Sequence, residues 1–230
     1  MDPAFFEKMQ PPKFKETYGR CMACELDGTT VVHDKSRVHS VRARCSYCDK
    51  CKHQAGQGLT WTSCIGLVLL VTSLFCGRTS EKALVQLHTD WLWIFPHLMG
   101  QLLDRGFTGV RRWYPTRLVS YHPAKVQDRK KGGVDLTTEQ VIDSAVQAAD
   151  RYTSEVVYSR VKVFDILQSK CAFKFLPYIT TGWYVGHMFA QFYKPLREPT
   201  TWKHRQTYLD DAMALAPLSH VDVASFIELL

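Results

Sequence analysis

Residues Gln54–Gly77 are 24 consecutive positions without a formal charge. A run of that length and composition has to leave water, either into a bilayer or into a protein core. Its central stretch, Leu59–Cys76, is 18 residues long. As a helix it would cover about 27 Å, close to a hydrocarbon thickness of about 30 Å. Trp61 stands near one end, where an interfacial aromatic sits in a membrane helix. The expectation is a transmembrane helix within residues 54–78. A fully buried core helix is the alternative, because five Thr and Ser dilute the hydrophobicity of the stretch. Arg42, Arg44, Lys50 and Lys52 precede the run closely, and only Arg78 and Lys82 follow it closely. That asymmetry places the preceding segment on the cytoplasmic or matrix side.

That preceding segment is rich in cysteine. Five of the eight Cys, namely Cys21, Cys24, Cys45, Cys48 and Cys51, fall within 31 residues. Residues 1–10 carry Asp2 and Glu7 and no apolar core, so they do not read as a secretory signal. A Cys cluster without such a signal points to metal rather than to disulfides. Cys21-Met22-Ala23-Cys24 and Cys45-Ser46-Tyr47-Cys48 are two C-x-x-C turns separated by 20 residues. Between them Thr29–His33 and Arg37–Arg44 read as the strands of a short hairpin. Two such turns at the ends of a hairpin close a tetrahedral four-thiolate site for Zn2+. Cys51 can replace Cys45, and His53 is a further ligand candidate. An iron–sulfur cluster and free thiols are the other readings. The pattern resembles a zinc ribbon over residues 19–53. Four thiolates leave no open coordination position, so the resemblance implies a structural metal.

The rest reads as helical. Leu84, Leu87, Trp91, Ile94, Leu98 and Leu102 recur at helical spacing within residues 79–104, with Thr79 or Ser80 as a cap and Pro96 as a kink. A basic connector continues to residue 136 and includes Arg129-Lys130-Lys131. Thr137 and Gln140 match a capping box that opens a long amphipathic helix over 137–170. Residues 175–193 form a second uncharged run of 19, either a second membrane helix or a buried one. Gly182 and Gly186, four apart, clear one face of it for another backbone. Residues 1–20 and 195–230 read as arms, the latter ending in a docked helix over Ala224–Leu230. The domain plan is therefore 1–20, 21–53, 54–78, 79–136, 137–194 and 195–230. The fold class is mainly α: a zinc-ribbon-like β-hairpin module, one or two transmembrane helices, and long amphipathic helices.

For function, the net charge of +7 and a pI near 9.0 favour anionic partners without choosing among them. No G-x-S-x-G, Walker A, G-x-G-x-x-G or H-E-x-x-H motif occurs, and no catalytic residue stands out. Gly182-Trp183-Tyr184-Val185-Gly186 resembles the membrane helix of the g subunit family of mitochondrial ATP synthase. That short likeness implies a mitochondrial inner-membrane assembly with the Cys module in the matrix. Together these features predict a non-catalytic accessory subunit of a membrane complex, with lipid and other subunits as partners. The alternative is a soluble basic zinc-ribbon protein that binds nucleic acid through Arg37, Arg42, Arg44, Lys50, Lys52 and the Arg129–Lys131 run.

Overall fold

The computed structural model of the chain describes residues 1–35, 44–113, 118–124 and 135–197. Arg37, Arg42, the Arg129–Lys131 run and the Ala224–Leu230 helix lie outside these residues. The chain opens with two short helices, α1 (Pro3–Met9) and α2 (Pro12–Tyr18), which bury Phe5, Phe6, Met9 and Phe14. Strand β1 (Met22–His33) follows, then β2 (Tyr47–Cys48), β3 (His53–Thr62), β4 (Val68–Val71) and β5 (Phe75–Cys76). After α3 (Glu81–Leu87) and a 3-10 turn over Thr89–Ile94 come β6 (Met99–Leu103) and β7 (Leu118–Tyr121). Four helices complete the described chain: α4 (Thr138–Asp150), α5 (Tyr152–Val161), α6 (Asp165–Gln168) and α7 (Leu176–Ala190).

One seven-stranded sheet organises these elements, in the order β2-β3-β1-β6-β7, with β4 and β5 also paired to β3. The fold is therefore mixed α/β, not mainly α. Strand β3 runs antiparallel to β1, from Glu25 opposite Thr62 to His33 opposite Gln54. Strand β6 runs parallel to β1, and β7 parallel to β6. Helices cover both faces. Ala23, Cys24 and Leu26 of β1 join Phe6, Trp61, Leu84, Val85 and Phe95 in one core. Val31 joins Val157, Tyr158, Val161, Ile179 and Trp183 in the other.

The uncharged run Gln54–Gly77 is β3, β4 and β5, not a membrane helix. Its residues suit strands: Thr60, Thr62, Val68, Val71 and Thr72 are β-branched, and Trp61 and Phe75 are aromatic. A strand covered on both faces reads as an unbroken apolar stretch, so it carries no period of two to identify it. Gly58 fits the same packing, since a Cβ there would lie 2.8 Å from the Trp183 ring. The second run, 175–193, does form a helix, but α7 has 15 residues and spans about 22 Å. Ile179, Trp183, Gly186 and His187 are buried against the chain itself. Gly186 allows the Val161 carbonyl of α5 close approach, with only 3.2 Å to a would-be Cβ. Among the described residues no helix is long and apolar enough to cross a membrane.

The second strand expected for the zinc-ribbon hairpin, Arg37–Arg44, lies outside the described residues apart from Arg44; among the described residues β1 pairs elsewhere. The antiparallel partner of β1 is β3, and β1 continues without interruption from Met22 to His33. The long helix over 137–170 begins where expected: Thr137 accepts from Gln140 N–H, and the Gln140 side chain accepts from Thr137 N–H. It then breaks near Arg151 and again near Lys162, giving α4, α5 and α6. The break lets Ser154 and Tyr158 reach β1, where Ser154 donates to Glu25 and Tyr158 donates to the Asp27 carbonyl at 2.6 Å. The helix predicted over 79–104 stops early. Ser80 does cap α3, but the segment after Pro96 enters the sheet as β6. Leu98 therefore lies in the turn that leads into the sheet, with a left-handed backbone (φ 61°), and Leu102 lies in β6, fully buried.

One buried polar contact in this frame makes stability depend on pH. His187 donates from Nδ1 to the Trp183 carbonyl at 2.8 Å and accepts at Nε2 from the Thr60 hydroxyl at 2.9 Å. Both contacts suit the neutral ring. Burial pushes its pKa down to about 4, and the Trp183 carbonyl pulls weakly the other way. The unfolded chain thus binds more protons than the folded one between pH 6.5 and about 4. Stability is fully present above pH 6.5 and falls by about 3 kcal/mol across that window. Urea titrations of wild type and His187→Gln at pH 7.5 and 4.5 read this out. The variant is expected to lack that part of the pH slope, and equal slopes would contradict the assignment.

Candidate active site

The parallel pairing of β1 and β6 sets Leu26 beside Leu103. The residues that follow, Asp27 and Asp104, therefore come to the same height, at the carboxyl end of β6. Open sheets gather ligands at the carboxyl ends of their parallel strands. Strand β7 pairs Tyr121 with Leu102, which brings His122 to the same end. There His122 Nδ1 lies 3.3 Å from the Asp104 carbonyl.

Alternation along β1 decides what each side chain faces. Glu25, Asp27 and Thr29 point towards α5 and its flanks, contacting Ser154, Arg151 and Lys162 respectively. The opposite face carries Leu26 and Gly28. At Gly28 the missing Cβ makes room for Glu81, whose Oε1 would otherwise lie 2.7 Å from it. Gly106 makes the same room for Glu81 Oε2, at 2.9 Å. Glu81, the first residue of α3, thus lies in a cradle of two glycines beside the aspartate pair. Lys50 stands 3.5 Å from it.

Asp27 is largely enclosed. Burial pushes its pKa up to about 6, and the charge of Glu81 adds to that. The Gly28 N–H, which donates to Asp27 Oδ1 at 2.8 Å, and Arg151 act in the opposite direction. Asp104 is more open and accepts from the Arg105 N–H at 2.6 Å. Arg151 lies between the two carboxylates. Its guanidinium is 3.9 Å from Asp27 Oδ1 and 3.4 Å from Asp104 Oδ1. Burial holds His122 below the usual imidazole range. A cleft of about 330 Å3 opens next to Glu81 and Gly106, and Lys50, Arg78 and Lys82 line it.

The arrangement is two adjacent hard-oxygen donors with a third carboxylate nearby and cations around them. Such a centre suits a divalent cation or a phosphate ester bound through one, because Mg2+ takes one or two carboxylates and leaves the rest of its shell to substrate and water. Among the described residues no three His, Cys, Asp or Glu side chains are gathered closely enough to hold a metal by themselves.

The residues singled out in the sequence are distributed differently. Cys21 is half-buried just before β1, and Cys24 is fully buried within it, its thiol pushed up by burial. Cys48 lies buried in β2, Cys45 is exposed, and Cys51 is half-buried. His53 is exposed at the start of β3. Because β2 and His53 adjoin the His33 end of β1, nine residues separate Cys24 from that end, about 30 Å along a strand. The structure brings Cys48 and Cys51 together in one turn and keeps Cys21 and Cys24 at the opposite end of the sheet. Sequence reasoning missed Asp27, Asp104, Glu81 and Arg151. One usable signal existed, an acidic residue directly after the uncharged stretch Met99–Leu103.

No curated protein and no solved structure matches the chain. A family model described as DDE superfamily endonuclease matches residues 26–185, which is more than half of the sequence. The matched span includes Asp27, Glu81, Asp104 and Arg151. It overturns the expectation of a non-catalytic accessory subunit of a membrane complex, since an endonuclease is an enzyme that acts on nucleic acid. The chain belongs to the DDE superfamily endonuclease family.

Proposed function

We propose that this protein is a divalent-cation-dependent endonuclease that cuts internal phosphodiester bonds of DNA at the Asp27–Asp104 centre. The observation that carries the reading is the β1–β6 register, which makes neighbours of two aspartates far apart in sequence. Asp27 and Asp104 are the residues that would hold the cation. When bound, a cation such as Mg2+ polarises a phosphoryl oxygen and supplies an activated water. The chain's own contribution is placement. Asp27 is fixed by the Gly28 N–H and Asp104 by the Arg105 N–H, so the carboxylates need little reorganisation. Lys50, Arg78 and Lys82 in the adjoining cleft supply charge for the phosphates on either side of the bond. The net charge of +7 adds a general attraction to a polyanion.

The test is cleavage by the full chain. Supercoiled plasmid and labelled duplex DNA are incubated with Mg2+ or Mn2+, with EDTA as control. Nicked or linear product that depends on the metal is the expected result. Absence of product with both metals would overturn the reading, and cleavage confined to RNA would overturn the choice of DNA.

A further inference from the structure

The position between the two aspartates is already taken by a cation of the protein's own. Arg151 sits at the break between α4 and α5, with its side chain 16% exposed. It faces Asp27 Oδ1 and Asp104 Oδ1 and donates to the latter at 3.4 Å. Charge-assisted contacts between guanidinium and carboxylate tighten to about 2.7–2.9 Å when geometry allows. Here both are longer, so Arg151 neutralises the pair without being clamped to it. The backbone supports such a role. Arg151 caps α4 through its N–H to the Gln147 carbonyl, and its side chain leaves the helix axis towards the sheet.

We propose that Arg151 is an internal stand-in for the catalytic cation: it holds the Asp27–Asp104 pair together in the metal-free protein, and metal loading requires it to swing out. This regulation rests on the reading of the pair as a metal centre. Two like charges side by side repel, and the guanidinium removes that repulsion until a harder cation replaces it. The displaced guanidinium then lies next to the centre, where a DNA phosphate can take up its charge. Metal and DNA thereby favour the same Arg151-out state, and each is expected to strengthen binding of the other.

The experiment measures binding of Mn2+ alone to the full chain by calorimetry, in wild type and Arg151→Gln. The expected result is affinity about tenfold tighter or more in Arg151→Gln, because a cation within 4 Å of both donors is gone. Equal or weaker affinity, or no binding to either protein, would overturn the proposal. A second measurement needs no variant. In wild type, modification of Arg151 by phenylglyoxal is followed by mass spectrometry with and without Mn2+. A several-fold rise with Mn2+ is expected, and an unchanged or lower rate overturns the proposal. The outcomes separate from those of the cleavage test. Tighter Mn2+ binding by Arg151→Gln with no DNA cleavage by wild type would sink the nuclease reading alone. Cleavage by wild type without tighter binding by the variant would sink the Arg151 reading alone.

Discussion

Asp27→Asn is expected to lower metal-dependent DNA cleavage by about 10^3-fold or more, close to 4 kcal/mol of lost transition-state stabilisation. The substitution keeps shape and the acceptor oxygen for the Gly28 N–H. It removes only the charge and one hard donor of an adjacent pair, so the loss falls on chemistry and not on folding. Thermal unfolding should confirm this. Asp27 is an enclosed carboxylate beside Glu81, and burial and that neighbour both disfavour its charge. The melting temperature of Asp27→Asn should therefore stay at or above that of wild type. Single-turnover cleavage of labelled duplex DNA provides the rate. A variant within tenfold of wild type would remove Asp27 from the centre.

Trp183→Ala is expected to cost about 3–5 kcal/mol of stability, enough to unfold a marginal domain. Trp183 is fully buried, where α7 meets the sheet. Its ring packs beside Tyr158 and His187, and Nε1 donates to the Thr72 carbonyl at 2.9 Å. Truncation leaves a large cavity between α5, α7 and β3, and a carbonyl without its donor. Tyr178, 64% exposed on the same helix, provides the control: Tyr178→Ala should cost less than about 1 kcal/mol. Urea denaturation distinguishes the two. Comparable losses at both positions would mean that α7 does not pack as described.

Local signals in the sequence located local structure. The Thr137–Gln140 capping box appears where residue chemistry puts it, and of the two cap candidates Thr79 and Ser80 the structure uses Ser80. The apolar runs also mark the interior correctly in one sense, since Gln57–Ser63 and Trp183 are buried. What composition could not settle was the kind of interior. An unbroken uncharged run satisfies a bilayer, a core helix or a doubly covered strand equally well, and only pairing partners decide. The Cys turns misled for a related reason. Cys24 is a small apolar residue in a central strand, and nothing in C-x-x-C spacing distinguishes that from a thiolate ligand. The site was hidden by distance along the chain. Asp27 and Asp104 are 77 positions apart and Arg151 lies another 47 beyond. No motif of fixed spacing spans such gaps, and the register that joins them exists only in the sheet.

That register has a consequence for biosynthesis. Asp27 leaves the ribosome long before Asp104, and Arg151 comes later still. Until β6 slides in beside β1, each acid is a solvated side chain with no attraction for a cation beyond that of any other carboxylate. On the proposed reading of the site, the two acids and the arginine that neutralises them come together in a single folding step.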